Sequence, residues 1–433
     1  MDFLKIYSDL LKNNMDHPEK VRKMIKAGYN LEYVNLNLFG DKDLPKSLRY
    51  LARLCMRFTL DPMKNPDNAA FVNVFTPTEF LHAFGMSPQL IEAYSSYMSG
   101  ARCEDAFINK AESAGIADSL CSYHKTFLGA AMSDVLQKPR FAITTSTACD
   151  GNVNTFRYLA DYYNIDKFVI DVPYEYSKDS QEYVEEQLRE MVTFIEDNIS
   201  KKLDEDKLKQ IILNENQSID YYKSYLENLK TKYFPNTLTS EMFKVFATHL
   251  GMGRPDTLKF FKILADDIEK YPDIKAKKRL LWAHLLPFYS ESIKKFLDKN
   301  TDYQLLMSDM NADYLHKLDV NDPFGSIAKK VILNSYNGPY SRRANNILNL
   351  AKDLNADGVI NFCHFGCKQS NGGALILKDL LEKNNIPILS IDGDAVDRRN
   401  SQEGQNKTRL EAFFEMIDKD EEETDNDSVC VQI

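Results

Sequence analysis

No run of about 18 uncharged apolar residues occurs in this 433-residue chain, so no bilayer-spanning helix is expected and a membrane setting is excluded. The opening MDFLKIYSDLLKNN also lacks the charged start, apolar core and small-residue cleavage site of a secretion signal. Cysteine is scarce and odd in number, seven in all, which makes no secreted disulfide framework. A reducing cytoplasm is the expected location. Basic surface is missing too: the net charge of -10 argues against nucleic acid, whose phosphates demand clustered Lys and Arg. A short basic run, Lys275 to Arg279 (KAKKR), reads as a solvated loop or a contact for a cofactor phosphate. The chain has no GxxxxGKS/T phosphate loop, no CxxC pair and no repeat of short fixed period. Those absences remove self-contained ATP hydrolysis, thioredoxin-like redox chemistry and solenoid architectures.

What remains is 43% apolar and 27% charged, the balance of a soluble globular chain, and its length implies two or three domains. Residues 1–65 carry apolar side chains at three-and-four spacing (Phe3, Leu4, Tyr7, Leu10, Leu11; then Leu48, Leu51, Leu54, Cys55) and predict a helical arm. Residues 66–200 predict a first α/β domain with strands at Phe71–Phe75, Arg140–Thr145 and Lys167–Val172. Thr76 as N-cap, Pro77 at the first helical position and Glu79 predict a capped helix after the first strand. A strand, turn, helix and strand in this order make a crossover connection and a parallel sheet. Residues 201–275, charged and without strand alternation, predict a helical linker. Residues 276–417 predict a second α/β domain with strands at Leu280–Leu286, Tyr303–Met307, Val359–Phe362 and Pro387–Ile391. The acidic tail, 418–433, is expected to be disordered. Its last four residues, Cys430 to Ile433, superficially resemble a prenylation signal, but Gln432 stands where an aliphatic residue is normal and no basic cluster precedes it.

The second domain is organised around Gly358 to Gly373, GVINFCHFGCKQSNGG. An apolar strand stops at two cysteines that bracket His364, Phe365 and Gly366, and glycines then lead into a helix from Ala374 to Lys383. Strand-to-helix junctions of open α/β sheets are where such folds place ligands, and cysteine there points to metal or thiolate chemistry. Cys55 and Cys103 sit among apolar neighbours in helical patterns and read as packing residues. Cys121, Cys149, Cys363 and Cys367 differ, most of them standing at element boundaries beside polar or glycine-rich residues. Their spacing is not that of a zinc site. Thiolates dispersed along the chain but converging on a cleft suit an iron-sulfur cluster. With three convincing ligands, one iron keeps a non-cysteine position that a substrate can use.

The segments FTPTEFLHAFG, LCSYHKTFLG, CDGN, FVIDVPYE and FCHFGCKQ, in this order between about Phe71 and Met416, resemble the 2-hydroxyacyl-CoA dehydratase family, relatives of benzoyl-CoA reductase. HFGCKQ is more similar to the alpha-type subunit. The resemblance implies two Rossmann-like domains with one [4Fe-4S] cluster between them, held by Cys121, Cys149 and Cys367. Cys363 departs from the family pattern, as a bystander or an alternative ligand. The implied activity eliminates water from an (R)-2-hydroxyacyl-CoA to give a 2-enoyl-CoA. One electron on the thioester carbonyl makes a ketyl radical anion, which expels the 2-hydroxyl and acidifies the neighbouring hydrogen. The implied partners are a homologous beta-type subunit and an ATP-dependent iron-sulfur activator, which accords with the missing phosphate loop. The resemblance also admits a benzoyl-CoA-reductase-like electron transfer to a thioester, or a supporting subunit without catalysis.

Among other residues, His364 is a candidate to hydrogen-bond a cluster ligand or the substrate oxygen. His124 reads as a polar packing residue. Glu79, at a helix start where the dipole favours a carboxylate, is a candidate for proton transfer. Lys368 and Gln369 could steady a reduced cluster or the thioester oxygen. Asp150 and Asn152 fit a tight turn. Asn337 to Arg343 could meet the coenzyme A phosphates.

Overall fold

The computed structural model describes residues 3–274 and 277–429, of which 420–429 are described as backbone only. Among the described residues no helix is long and apolar enough to cross a membrane. The arm consists of helices Phe3–Lys12, Pro18–Leu38 and Lys46–Lys64. The third turns Leu48, Leu51, Leu54, Cys55 and Phe58 inward against helices Leu238–His249 and Pro255–Ile268, as the three-and-four spacing requires. Cys55 and Cys103 are both buried in the core.

Two four-stranded sheets follow, every strand pair parallel. The first comprises β1 (Ala69–Val72), β2 (Ser87–Leu90), β3 (Phe141–Thr145) and β4 (Asp166–Ile170) in the order β2-β1-β3-β4. The second comprises β5 (Lys278–Ala283), β6 (Tyr303–Ser308), β7 (Gly358–His364) and β8 (Ile388–Gly393) in the order β6-β5-β7-β8. The two orders correspond position by position. In each sheet the chain leaves the two middle strands in opposite directions, so their carboxyl ends open into a crevice. Between the sheets in sequence run helices Lys178–Ile199, Glu205–Leu229, Leu238–His249 and Pro255–Ile268.

Several local expectations change. The strand after the arm stops at Val72, and the helix begins at Glu79 behind Thr78, whose side chain caps nothing. The Thr76 hydroxyl instead bonds Asn73 and the Ile143 carbonyl, which fastens the end of β1 to β3. The edge strand β2, Ser-Pro-Gln-Leu, escapes the pattern because proline is tolerated at a sheet edge without advertising a strand. Lys278 and Arg279 are buried in β5 rather than lying on a basic loop, while Lys275 and Ala276 fall outside the described residues. β7 does not stop before the cysteines but runs through Cys363 to His364. The tail expected to be disordered continues the helix Glu403–Val429, and the Cys430 to Ile433 segment lies outside the described residues.

The halves are joined by buried polar contacts. Ser122 Oγ donates to Asp394, Ser99 Oγ donates to the Val396 carbonyl at 2.8 Å, and Arg398 Nη1 reaches Glu104 at 2.8 Å. Helix Ser122–Met132, which supplies Ser122, packs on helix Glu104–Ser113 so closely that a Cβ on Gly129 would lie 1.8 Å from the Phe107 carbonyl oxygen. Gly129→Ala must push the helices apart, and we expect a loss of about 1–3 kcal/mol, read as a lowered urea midpoint at unchanged slope.

Candidate active site

Each of three cysteines is the residue immediately before a helix. Cys121 precedes Ser122–Met132, Cys149 precedes Asp150–Tyr163 after β3, and Cys367 precedes the short turn Lys368–Asn371 after β7. Cys149 and Cys367 therefore occupy corresponding places in the two sheets, at the carboxyl ends of the middle strands. Cys121 reaches the same place because the loop around Gly366 passes close beneath it: a Cβ on Gly366, whose φ is +81°, would stand 2.7 Å from the Cys121 nitrogen. No L side chain fits there, and glycine adopts that φ without strain.

The three thiols line two spaces at once. On one side is an open cleft of about 890 Å³, also lined by Asp150, Tyr174, Asn337, Tyr340 and Lys368. On the other is an inner chamber of about 120 Å³ with mainly apolar walls. Cys121, His124, Ala148, Cys149, Tyr336, Cys367 and Gln369 border both, and so form a neck between them. Burial, then the charges of Cys367, Asp394 and Cys149, push the Cys121 thiol up; burial also pushes Cys149 up, to about 11. Thiolates at this spot are costly unless a cationic group sits between them, and the helix N-termini behind them favour negative charge. Among the described residues no three His, Cys, Asp or Glu groups are arranged to hold a metal ion. Three soft thiol donors bordering one neck are the donor type that iron-sulfur groups take.

A histidine stands beside each thiol. His364 Nδ1 accepts the Ala395 N–H at 3.0 Å, which leaves Nε2 as the protonated nitrogen, 3.2 Å from Cys121 Sγ. His284 Nδ1 donates to the Phe362 carbonyl at 3.2 Å, and its Nε2 lies 3.6 Å from Cys367 Sγ. His124 Nδ1 bonds Thr155 Oγ1 at 3.0 Å with Nε2 4.0 Å from Cys149 Sγ, so it borders the neck rather than merely packing. Burial holds all three below the usual imidazole range, His124 at about 4.

Cys363 points elsewhere. It pairs in register with Asp392 of β8, lies 3.6 Å from Asn361 Nδ2, and lines neither space. Burial, then the Asp392 charge, raises its thiol. Glu79 is also away from the neck. It is buried against Lys330 at 2.7 Å, which holds Glu215 at the same distance, beside a separate small cavity. Lys368 is exposed in the cleft, and Gln369 accepts from Arg343 Nη1 at 3.2 Å. Asp150 faces the cleft and Asn152 the chamber. The arginines of the 337–343 stretch do not wait for phosphates. Arg342 Nη1 bonds the Ile332 and Asn337 carbonyls, and Arg343 is fully buried on Asp309 at 2.8 Å.

Sequence reading missed His284 and Glu92. His284, at φ +80° just past β5, has its N–H fixed by Asp309 Oδ1 at 2.6 Å; a histidine closing an apolar strand was the available signal. Glu92 has no local signal. It follows the cryptic edge strand, accepts the Val74 N–H at 3.3 Å, leaves Oε2 buried without a partner among the described residues, and is raised by burial to about 7. Among the described residues it is the only carboxylate bordering the inner chamber.

Comparison with known proteins gives consistent relatives. The chain is 22% identical over 367 residues to the (R)-phenyllactyl-CoA dehydratase alpha subunit of Clostridium sporogenes, covering 79% of this chain and 87% of that one. It is 24% identical over 390 residues to a subunit of the benzoyl-CoA reductase of Thauera aromatica, covering 80% and 89%. It is 23% identical over 385 residues to the alpha subunit of the lactoyl-CoA dehydratase of Anaerotignum propionicum, covering 79% and 89%. Residues 73–417, which take in all three neck cysteines and every strand except β1, match one family throughout, and the chain belongs to it: the 2-hydroxyglutaryl-CoA dehydratase, D-component family.

Proposed function

We propose that this chain is the iron-sulfur subunit of a 2-hydroxyacyl-CoA dehydratase, a hydro-lyase that converts an (R)-2-hydroxyacyl-CoA to the 2-enoyl-CoA after one-electron activation. The observation that supports it most is the neck: three thiols from two parallel-sheet halves, with an open cleft on one side and an apolar chamber on the other. Cys121, Cys149 and Cys367 would hold one [4Fe-4S] cluster, and Cys363 would hold none. The cluster, when bound, supplies one-electron transfer and a Lewis-acidic iron. A homologous beta-type subunit, suggested by relatives named as subunits, and an ATP-dependent activator would complete the system in the cytoplasm.

The chain's own groups do the rest. The cleft admits the coenzyme A arm and the chamber takes the acyl tail. His364 donates its Nε2 proton to Cys121 sulfur, which steadies negative charge on that ligand. Arg343 fixes the Gln369 carbonyl oxygen, and the amide nitrogen donates one N–H to the Tyr336 carbonyl at 3.5 Å, which leaves its second N–H for the neck. Glu92, with a free oxygen in the mainly apolar chamber, takes the proton from the 3-carbon once one-electron reduction of the thioester and loss of the 2-hydroxyl as hydroxide have made it acidic, and the electron is recovered for the next turnover. The likeness to a benzoyl-CoA reductase chain supports a second reading, electron transfer to an aromatic thioester. Activated protein that yields a dienoyl rather than an enoyl product would favour it.

Anaerobically purified protein is expected to hold about four irons and four sulfides per chain. Cys121→Ala, Cys149→Ala and Cys367→Ala are expected to lose most of that iron, and Cys363→Ala to keep it. An iron-free but folded native protein from anaerobic cells would sink the proposal.

Glu92 yields a pH prediction with two signs. As a base it must first lose its proton, so turnover rises with pH through about 7. Glu92→Gln removes that rise and lowers turnover by about 10²–10⁴-fold, as an initial-rate profile would show. For stability, burial lifts the carboxyl from 4.5 to about 7, a contribution fully present below 4.5 and lost as pH climbs through 7. Glu92→Gln should therefore be more stable than the native chain at pH 8, by up to about 3 kcal/mol, and not at pH 4.

A further inference from the structure

The inner chamber is built from places far apart in the chain. Met242, Val245 and Phe246 come from one face of helix Leu238–His249, Leu90 from the end of β2, Leu286 from the loop after β5 and Met310 from the turn after β6. Positions 242, 245 and 246 follow the three-and-four spacing that gathers side chains on one helical face. The wall is held in place from outside: Glu241 of the same helix accepts from Ser308 N at 2.9 Å and from Asn311 Nδ2 at 2.7 Å. The chamber's shape is thus fixed by the scaffold.

Its chemistry is one-sided. Neither lysine nor arginine lines it among the described residues. Its two histidines are already engaged, with Nδ1 on Thr155 and on the Phe362 carbonyl and Nε2 against cysteine sulfurs. The nearby Arg343 is neutralised by Asp309 and capped by the Tyr336 ring at 4.2 Å. The one charged type present is the carboxylate Glu92. A tail ending in a carboxylate would lose its water with no cation to replace it, beside a group of its own sign. An apolar tail meets no such cost. At about 120 Å³ the chamber is close to the roughly 150 Å³ of an engineered apolar cavity that takes benzene.

Resting on the acyl-CoA reading above, we propose that this chain selects acyl groups with an uncharged apolar tail, branched aliphatic or phenyl in size, and rejects dicarboxylic acyl groups.

The test is equilibrium binding of acyl-CoAs that lack the 2-hydroxyl, so that no turnover intervenes, to the anaerobically purified protein with its partner subunit. 4-Methylpentanoyl-CoA and 3-phenylpropanoyl-CoA are expected to bind at least tenfold tighter than glutaryl-CoA. Equal binding, or tighter binding of glutaryl-CoA, overturns the tail assignment alone. Binding of none of them overturns the acyl-CoA reading and the tail assignment with it. Val245→Phe, which shortens the chamber, is expected to weaken 3-phenylpropanoyl-CoA more than propanoyl-CoA in protein whose circular dichroism matches the native chain. In that protein, equal losses or none would place the tail elsewhere and overturn the proposal; if the variant does not fold, the native series decides.

Discussion

The site depends first on the clasp at Asp394. This carboxylate, wholly buried, accepts from Ser122 Oγ in the first half and from the Val396 and Asp397 amides of its own loop at 2.8 Å each. Ser122 is the residue after Cys121. Fixing it to Asp394 brings the first half's thiol to the second half's His364 and to the Gly366 loop. With the His364 contact and the packing of the Gly366 loop, that bond holds Cys121 against the second half. Buried charge is costly unless its acceptors are satisfied, and here hydroxyl and amide donors do so without a cation. The negative charge left beside Cys121 raises its thiol after burial has done so, so the clasp that positions the sulfur also favours its bonding to something positive.

A second buried acid does the same for the other wall. Asp309 accepts from Arg343, from the Tyr336 hydroxyl at 3.1 Å and from the His284 N–H at 2.6 Å. One carboxylate thereby ties the end of β5, the turn after β6 and helix Tyr340–Asp353 together. Replacing a buried ion pair by apolar groups is often neutral, whereas removing one partner costs about 3–5 kcal/mol. Retention of such a pair makes sense as geometry: it holds His284 in a left-handed backbone conformation that a histidine does not adopt freely, and it orients Gln369 at the neck.

Much of this was legible in the sequence where local chemistry speaks. The β-branched runs of β3 and β4 and the apolar ladder of β7 declared parallel strands, and the cysteines before helices marked the neck through their resemblance to a known family. The choice between Cys363 and Cys367 was not legible. It turns on β7 continuing past Phe362, because alternation along the strand then puts Cys363 on the sheet face opposite His364, beside Asp392 of β8. The apolar run that announced the strand gave no sign of that extension. Glu92 was illegible for a different reason. Its meaning lies in the company it keeps, with Met242, Leu286 and Met310 arriving from distant segments, and such company is tertiary. Even the arginines at 342 and 343 looked like a phosphate contact because sequence shows charge but not the carbonyls and carboxylate that already occupy it.

The correspondence between the two sheets sharpens what the neck can do. Cys149 after β3 and Cys367 after β7 are equivalent corners. The helix leading into β3 begins behind Cys121, whereas the helix leading into β7 begins behind Pro339 with Tyr340 on the cleft. Two matched halves thus present four comparable corners, and only three carry sulfur. The fourth corner, at Gly338 and Tyr340, borders the open cleft rather than the inner chamber. Under the proposed function, the corner without sulfur would lie on the side of the open cleft. A single topology repeated twice supplies the matched pair of thiols, and the break in the repeat leaves one corner without sulfur.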